Sequence, residues 1–223
     1  MVKTKLLIQA RMSSRRLPKK VLLPVNGKPL IIYLVDEIRK ICAVEDIYVL
    51  TSDSANDDEL CEVLVKNNVN LYRGDLENVY GRYRGLLNQI DCDYFFRICA
   101  DSPFLPTYLI TLYKKLIGVN PGVDIISNVV RRTFPSGYSL ELVKKEMFMS
   151  MKFVKSKHFS QEHVTSSFYG CKSIFRSISV ETCQEFDRNY AIDSLEDYNR
   201  LKSAKEVEQI NQSDFRIVNN YVD

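Results

Sequence analysis

LLIQARMSSRRLPKKVL, running from Leu6 to Leu22, is the stretch on which the reading of this chain turns. Its apolar opening, Leu6–Ala10, reads as a short strand. Directly after it come Arg11, Arg15, Arg16, Lys19 and Lys20. In open parallel sheets, ligands bind just beyond the carboxyl ends of strands, so a loop in this position suits an anion carrying several charges. Arginine forks grip phosphate oxygens in pairs, while lysine supplies a point charge. Ser13 and Ser14 are small and let backbone N–H groups come close. The segment has neither Walker A nor G-x-G-x-x-G spacing, so those phosphate loops are excluded. The plain alternative is a solvated basic turn.

Working outward, short apolar runs alternate with amphipathic ones. The pattern predicts strands at Ile47–Thr51, Val69–Tyr72, Tyr94–Cys99 and Asp124–Ser127, and helices at Leu30–Ile41, about Asp57–Asn67, Leu76–Gln89 and from Pro106. Such β-α alternation predicts a three-layer α/β/α fold, a mostly parallel twisted sheet with helices on both faces. After Asn128 the pattern loosens. Residues 129–171 read as an arm leaving the sheet, before a strand at Ser173–Val180 and a helix at Ser194–Ala204 with Ser194 and Asp197 as capping box. Phe215–Val222 is apolar enough to pack, with no place assigned. The 223 residues suit a single domain, 1–223.

Charge and composition narrow the function classes. A net charge of +3 is too small to argue for nucleic acid. No apolar run approaches the roughly 20 residues of a membrane span, and the apolar stretch before Arg11 is too short for a secretory signal. Cys42, Cys61, Cys92, Cys99, Cys171 and Cys183 form no C-x-x-C pair, as expected for reduced thiols of a cytoplasmic protein.

The loop also carries a resemblance. Ala10, Arg11, Ser14, Arg16, Leu17, Pro18, Lys20 and Leu22, followed by Gly27-Lys-Pro-Leu30, resemble the opening of the bacterial sugar-acid cytidylyltransferases. That family includes the CMP-KDO synthetases, the CMP-sialic acid synthetases and, most similar, the spore-coat polysaccharide SpsF-like proteins. Ser13 stands where the SpsF-like proteins usually have glycine. Further matches are Tyr72-Arg-Gly-Asp75 with Val79 and Arg82-Tyr83, Arg97-Ile-Cys-Ala-Asp-Ser-Pro-Phe104, Ser127-Asn128, Phe134-Pro-Ser-Gly137, Glu162-His-Val-Thr165 and Ala191-Ile-Asp-Ser-Leu-Glu-Asp197.

The resemblance implies a nucleotide-diphospho-sugar transferase (GT-A-like) fold, a homodimer, and transfer of CMP from CTP to an acidic sugar. It places CTP on Gln9, Ala10, Arg11, Ser14, Arg16 and Lys20, with Arg73 and Arg97 reading the cytosine edge or pairing with phosphate. It makes Arg11, Lys20, Asp101 and Asp193 catalytic, and Asp101 and Asp193 the holders of Mg2+. Taken alone, each aspartate reads as a helix cap beyond a strand. The acceptor would meet Asn128, Pro135, Gly137, Glu141 and His163. His158 and His163, five residues apart, do not suit a shared metal. Asp91-Cys-Asp93 is a D-x-D, but it precedes its strand and so lies at the wrong edge. The same residues would serve a phosphonate or phosphorylated acceptor, a glycosyltransferase, or an inactive nucleotide-binding protein.

Overall fold

The computed structural model describes residues 2–151, 164–165, 175–186, 188–203, 207 and 214–220. Along the chain run β1 (Thr4–Gln9), β2 (Pro24–Val25), β3 (Lys28–Pro29), α1 (Leu30–Arg39), β4 (Ile47–Ser52), α2 (Asp58–Lys66), β5 (Asn70–Gly74) and α3 (Val79–Leu87). There follow β6 (Tyr94–Cys99), α4 (Tyr108–Val119), β7 (Ile125–Ser127), β8 (Glu141–Lys144), α5 (Lys145–Ser150), β9 (Ser177–Thr182), α6 (Leu195–Leu201) and β10 (Phe215–Asn220).

Among the described residues these strands build an eight-stranded sheet in the order β10-β9-β7-β8-β6-β1-β4-β5, with β2 and β3 as a separate hairpin. Strands β6, β1, β4 and β5 are parallel neighbours. They therefore deliver their carboxyl ends to one edge, where the loops after β1 and β6 open side by side. Only β8 and β10 run against the rest of the sheet.

Period-two alternation along the strands divides the core between the two faces. Leu6 and Ile8 point to one face, where they share a cluster with Leu34, Ile38, Leu60 and Tyr113 of α1, α2 and α4. Leu7 and Phe95 point to the other, packing with Tyr83 of α3 and Phe148 of α5. Phe95, Tyr83 and Phe148 form a closed aromatic triangle with ring centroids 5.1–6.5 Å apart. Three layers result, as the alternation predicts. No described helix is long and apolar enough to cross a membrane.

Two expectations change. The excursion over 129–171 is interrupted: Glu141–Lys144 returns to the sheet as β8, antiparallel between β6 and β7. Its four residues are too few for a periodic signal. The methionines expected at a dimer contact, Met147, Met149 and Met151, pack instead against the cluster beneath α3 and α5. The C-terminal apolar run finds its place as β10, the antiparallel edge strand beside β9.

Candidate nucleotide site

The loop after β1 is held from below by Asp57. This carboxylate is buried and accepts from the backbone N–H of Met12 (2.8 Å), the Thr51 hydroxyl (2.8 Å), the Ser52 N–H (3.0 Å) and the Ser52 hydroxyl. Met12 in turn accepts from the N–H groups of Ser14 and Lys19, so the loop folds back over it. Lys19 adopts a left-handed φ of 60°, which starts the 3-10 turn Lys20–Leu22 and turns the Lys20 side chain inward.

Burial alone would raise the Asp57 pKa, but the hydrogen bonds from Ser52, Met12 and Thr51 outweigh it and hold the pKa below the usual carboxylate range. A depressed folded-state pKa contributes stability that is full above the unfolded value of about 3.9 and lost as pH falls through the folded one. Asp57→Asn is therefore expected to cost about 2–3 kcal/mol at neutral pH. It should also flatten the loss of stability during acid titration below about pH 4. Urea unfolding across pH checks this, and parallel curves for the two proteins would remove Asp57 from the acid limb.

From the inward-turned Lys20, Nζ donates to Asp193 Oδ1 at 2.7 Å and to Asp101 Oδ2 at 3.2 Å. Arg16 reaches the other Asp193 oxygen at 2.8 Å. Asp101 follows β6, and its backbone carbonyl accepts from the Ile192 N–H at 2.8 Å, which stitches the two aspartate segments together. Asp193 precedes α6, whose capping box forms as expected. The Ser194 hydroxyl accepts from the Asp197 N–H, and Asp197 accepts from the N–H groups of Ser194 and Asp193. Two carboxylates 92 residues apart thus face one point.

That point lies at the margin of a cleft of about 810 Å³, within the usual size range of small-molecule sites. Gln9, Ala10, Arg11, Ser14, Arg16, Lys20, Asp101 and Asp193 line it. Five cations (Arg11, Arg15, Arg16, Lys20 and Arg82) face it against three carboxylates (Glu77, Asp101 and Asp193). Such a surplus favours an anion. Two carboxylates with room for phosphate and water oxygens suit a hard cation. No group of three or more potential ligands occurs among the described residues.

Arg82 on α3 was not singled out as a site residue in the sequence. Its side chain is buried, and its Nε and Nη1 find no hydrogen-bond partner among the described residues. Its stem passes Gly74, where a Cβ would come within 2.9 Å of the Arg82 Cγ. Burial, together with the nearby Arg11 guanidinium, lowers the Arg82 pKa from the ordinary arginine value. A buried guanidinium with vacant donors invites acceptor oxygens. The available signal was its position one residue before the buried Tyr83, on the inner side of an amphipathic helix.

The remaining expected residues are placed elsewhere. Arg73 lies off the cleft lining, donating to the Ser52 and Ser54 carbonyls and pairing with Asp58. Arg97 lies beneath the cleft floor, paired with Glu141 at 2.7 Å. Asn128 closes its own loop, donating to the Tyr138 carbonyl and accepting from the Leu140 N–H. Pro135 and Gly137 belong to the turn packed on Tyr190, and neither lines the cleft. His163 and His158 lie outside the described residues. Asp91 pairs with Lys3, and Asp93 accepts from the Lys3 N–H, before β6 as expected.

Comparison with known proteins now has a geometry to meet. A cytidylyltransferase family model matches residues 6–219. The chain belongs to the cytidylyltransferase family. It is 27% identical over 206 residues to the spore coat polysaccharide biosynthesis protein SpsF of Bacillus subtilis, covering 88% of this chain and 84% of that protein. Among solved structures, a cytidylyltransferase from Leptospira borgpetersenii superposes with a TM-score of 0.82 at 26% identity, over 91% of this chain and 86% of that one. A CMP:2-keto-3-deoxy-manno-octonic acid synthetase complexed with CTP shares the fold, with a TM-score of 0.65 at 14% identity, over 90% and 97% of the chains. For a cytidylyltransferase, a cationic cleft at the sheet's carboxyl edge is where a nucleoside triphosphate belongs.

Proposed function

We propose that this cytidylyltransferase transfers CMP from CTP to an acidic sugar, releasing pyrophosphate, with Mg2+ held by Asp101 and Asp193. The observation that carries the reading is the convergence of both carboxylates on Lys20 Nζ at the edge of a cleft rich in arginine. The likeness to SpsF and to the octonic acid synthetase supports a sugar acid as acceptor.

In this reading, Arg11, Arg15 and Arg16 grip the triphosphate, and Lys20 neutralises charge gathering beside the two aspartates. Bound there, the cation lowers the acceptor hydroxyl's pKa and steadies charge on the α-phosphate. The hydroxyl oxygen bonds to the α-phosphorus while the bond from that phosphorus to the pyrophosphate oxygen breaks. The residues contribute chiefly by alignment and fixed charge.

Pyrophosphate release, measured with each of the four nucleoside triphosphates against a panel of sugar acids and one phosphonate, tests the proposal. Turnover with CTP and a sugar acid is expected to exceed every other pair by at least about 100-fold. Turnover confined to the phosphonate, or a preference for another triphosphate, overturns it.

A further inference from the structure

Under the cleft floor a line of polar side chains crosses three neighbouring strands. Glu141 on β8 is directly opposite Arg97 on β6, and both are on the sheet face that carries α3. The Glu141 side chain is 1% exposed and that of Arg97 17%, with Nη1 to Oε2 at 2.7 Å. The same guanidinium reaches sideways with Nη2 to Gln9 Oε1 at 3.3 Å. Gln9 ends β1 and lines the cleft, and its backbone carbonyl accepts from the Ala100 N–H.

Arginine has donors only. Gln9 can therefore meet Arg97 only through its oxygen, and the orientation of the carboxamide is fixed by chemistry. Nε2 is the end left to face the cleft. Burial works against the Arg97 charge, but Cys99 and Glu141 more than offset it and leave the Arg97 pKa above its ordinary value. Burial pushes the Cys99 thiol itself up to about 11, so at neutral pH the anion facing Arg97 is Glu141. A charge pair this enclosed contributes little net stability compared with an apolar pair of similar size. Its position instead serves to hold Gln9.

We infer that Glu141 and Arg97 are positioning residues: they clamp Gln9 by its oxygen and so present Nε2 as a fixed donor to an oxygen of the bound nucleotide. This rests on the reading of the cleft as the CTP site. Gln9 adjoins the cationic loop directly and shares the cleft with Arg82, which places the donor on the nucleotide's side of the cavity. Glu141 and Arg97 thereby act on the nucleotide through Gln9 and touch no substrate themselves.

A thermodynamic cycle on CTP binding tests this, measured calorimetrically with CTP and Mg2+ in the absence of acceptor. Gln9→Ala is expected to weaken CTP binding by roughly tenfold, the equivalent of one lost hydrogen bond. Replacing both supports with apolar residues of similar length, Arg97→Met with Glu141→Leu, should weaken binding to a similar extent with little change in melting temperature. Added to Gln9→Ala, the pair should weaken binding no further. A purely structural role would produce the same loss in both backgrounds and overturn the inference. So would undiminished binding by Gln9→Ala. If the double variant does not fold, Arg97→Lys keeps a cation opposite Glu141 while giving up the fork's second arm. It should reproduce the loss only when Gln9 is present, and a loss that persists in the Gln9→Ala background again refutes the inference. A wild-type protein that binds another triphosphate, or none, strikes instead at the CTP reading on which this one depends.

Discussion

Asp101→Asn is expected to lower turnover by roughly 10³-fold, about 4 kcal/mol of barrier, while melting within a few degrees of the wild type. The two outcomes separate because the residue's two tasks are separate. Its backbone carbonyl accepts from the Ile192 N–H and joins the two aspartate segments, a bond that asparagine keeps. The Ser102 hydroxyl donates to Oδ1 at 3.2 Å, and an asparagine oxygen accepts there equally well. What disappears is one of the two negative charges facing the point that Lys20 Nζ occupies. Asp193→Asn should behave alike, although Arg16 then loses its partner as well. That second loss is slight, because the Arg16 side chain is 70% exposed and surface pairs contribute about 0–1 kcal/mol. Steady-state kinetics with circular dichroism checks both. Near-wild-type turnover in folded Asp101→Asn would mean that the aspartates serve only as partners for lysine.

The largest effect on folding is expected at Gly137. Its φ is +95°, in the left-handed region that side chains avoid, and an added Cβ would lie 2.3 Å from the Tyr190 carbonyl carbon and 2.4 Å from the Ala191 nitrogen. Both neighbours are backbone, and Tyr190 is pinned by its N–H bond to the Ser136 carbonyl at 2.7 Å. Nothing there can rotate aside. Gly137→Ala should therefore cost at least about 4 kcal/mol or abolish soluble folding. A control separates the two causes. Gly27 has a φ of +77° but open space around its would-be Cβ, so Gly27→Ala carries only the conformational cost of about 1 kcal/mol. Urea unfolding of the two variants gives the comparison, and equal costs would disprove the close approach at Gly137. Because Tyr190 lies three residues before Asp193, any Gly137 variant that folds should also lose turnover.

What the sequence disclosed, it disclosed through local chemistry. The strand Tyr94–Cys99 is apolar and bounded, and it has the same limits in the structure. The capping box at Ser194 and Asp197 has fixed spacing, and it forms. Arg11, Lys20, Asp101 and Asp193 could be expected together because each follows a short apolar run that delivers it to the same edge. What escaped depends on pairing between distant segments. Arg97 stands inside an apolar strand, which signals a buried partner, but nothing local named Glu141. Asp57 reads as an ordinary helix start, and its four bonds to the loop and to β4 become visible only once the segments meet. Arg82 is one turn of a helix away from positions assigned to the core, too near to be told apart by periodicity.

The central placement of β8 bears on how the polypeptide matures during synthesis. Strands β1, β4, β5 and β6 all precede residue 100 and can associate early, yet β6 keeps an unsatisfied edge until residues 141–144 emerge. Four residues then join the early half of the sheet to β7, β9 and β10. A ribosome paused within that interval would present a sticky seam to its neighbours, which makes this the stage at which a chaperone is most needed.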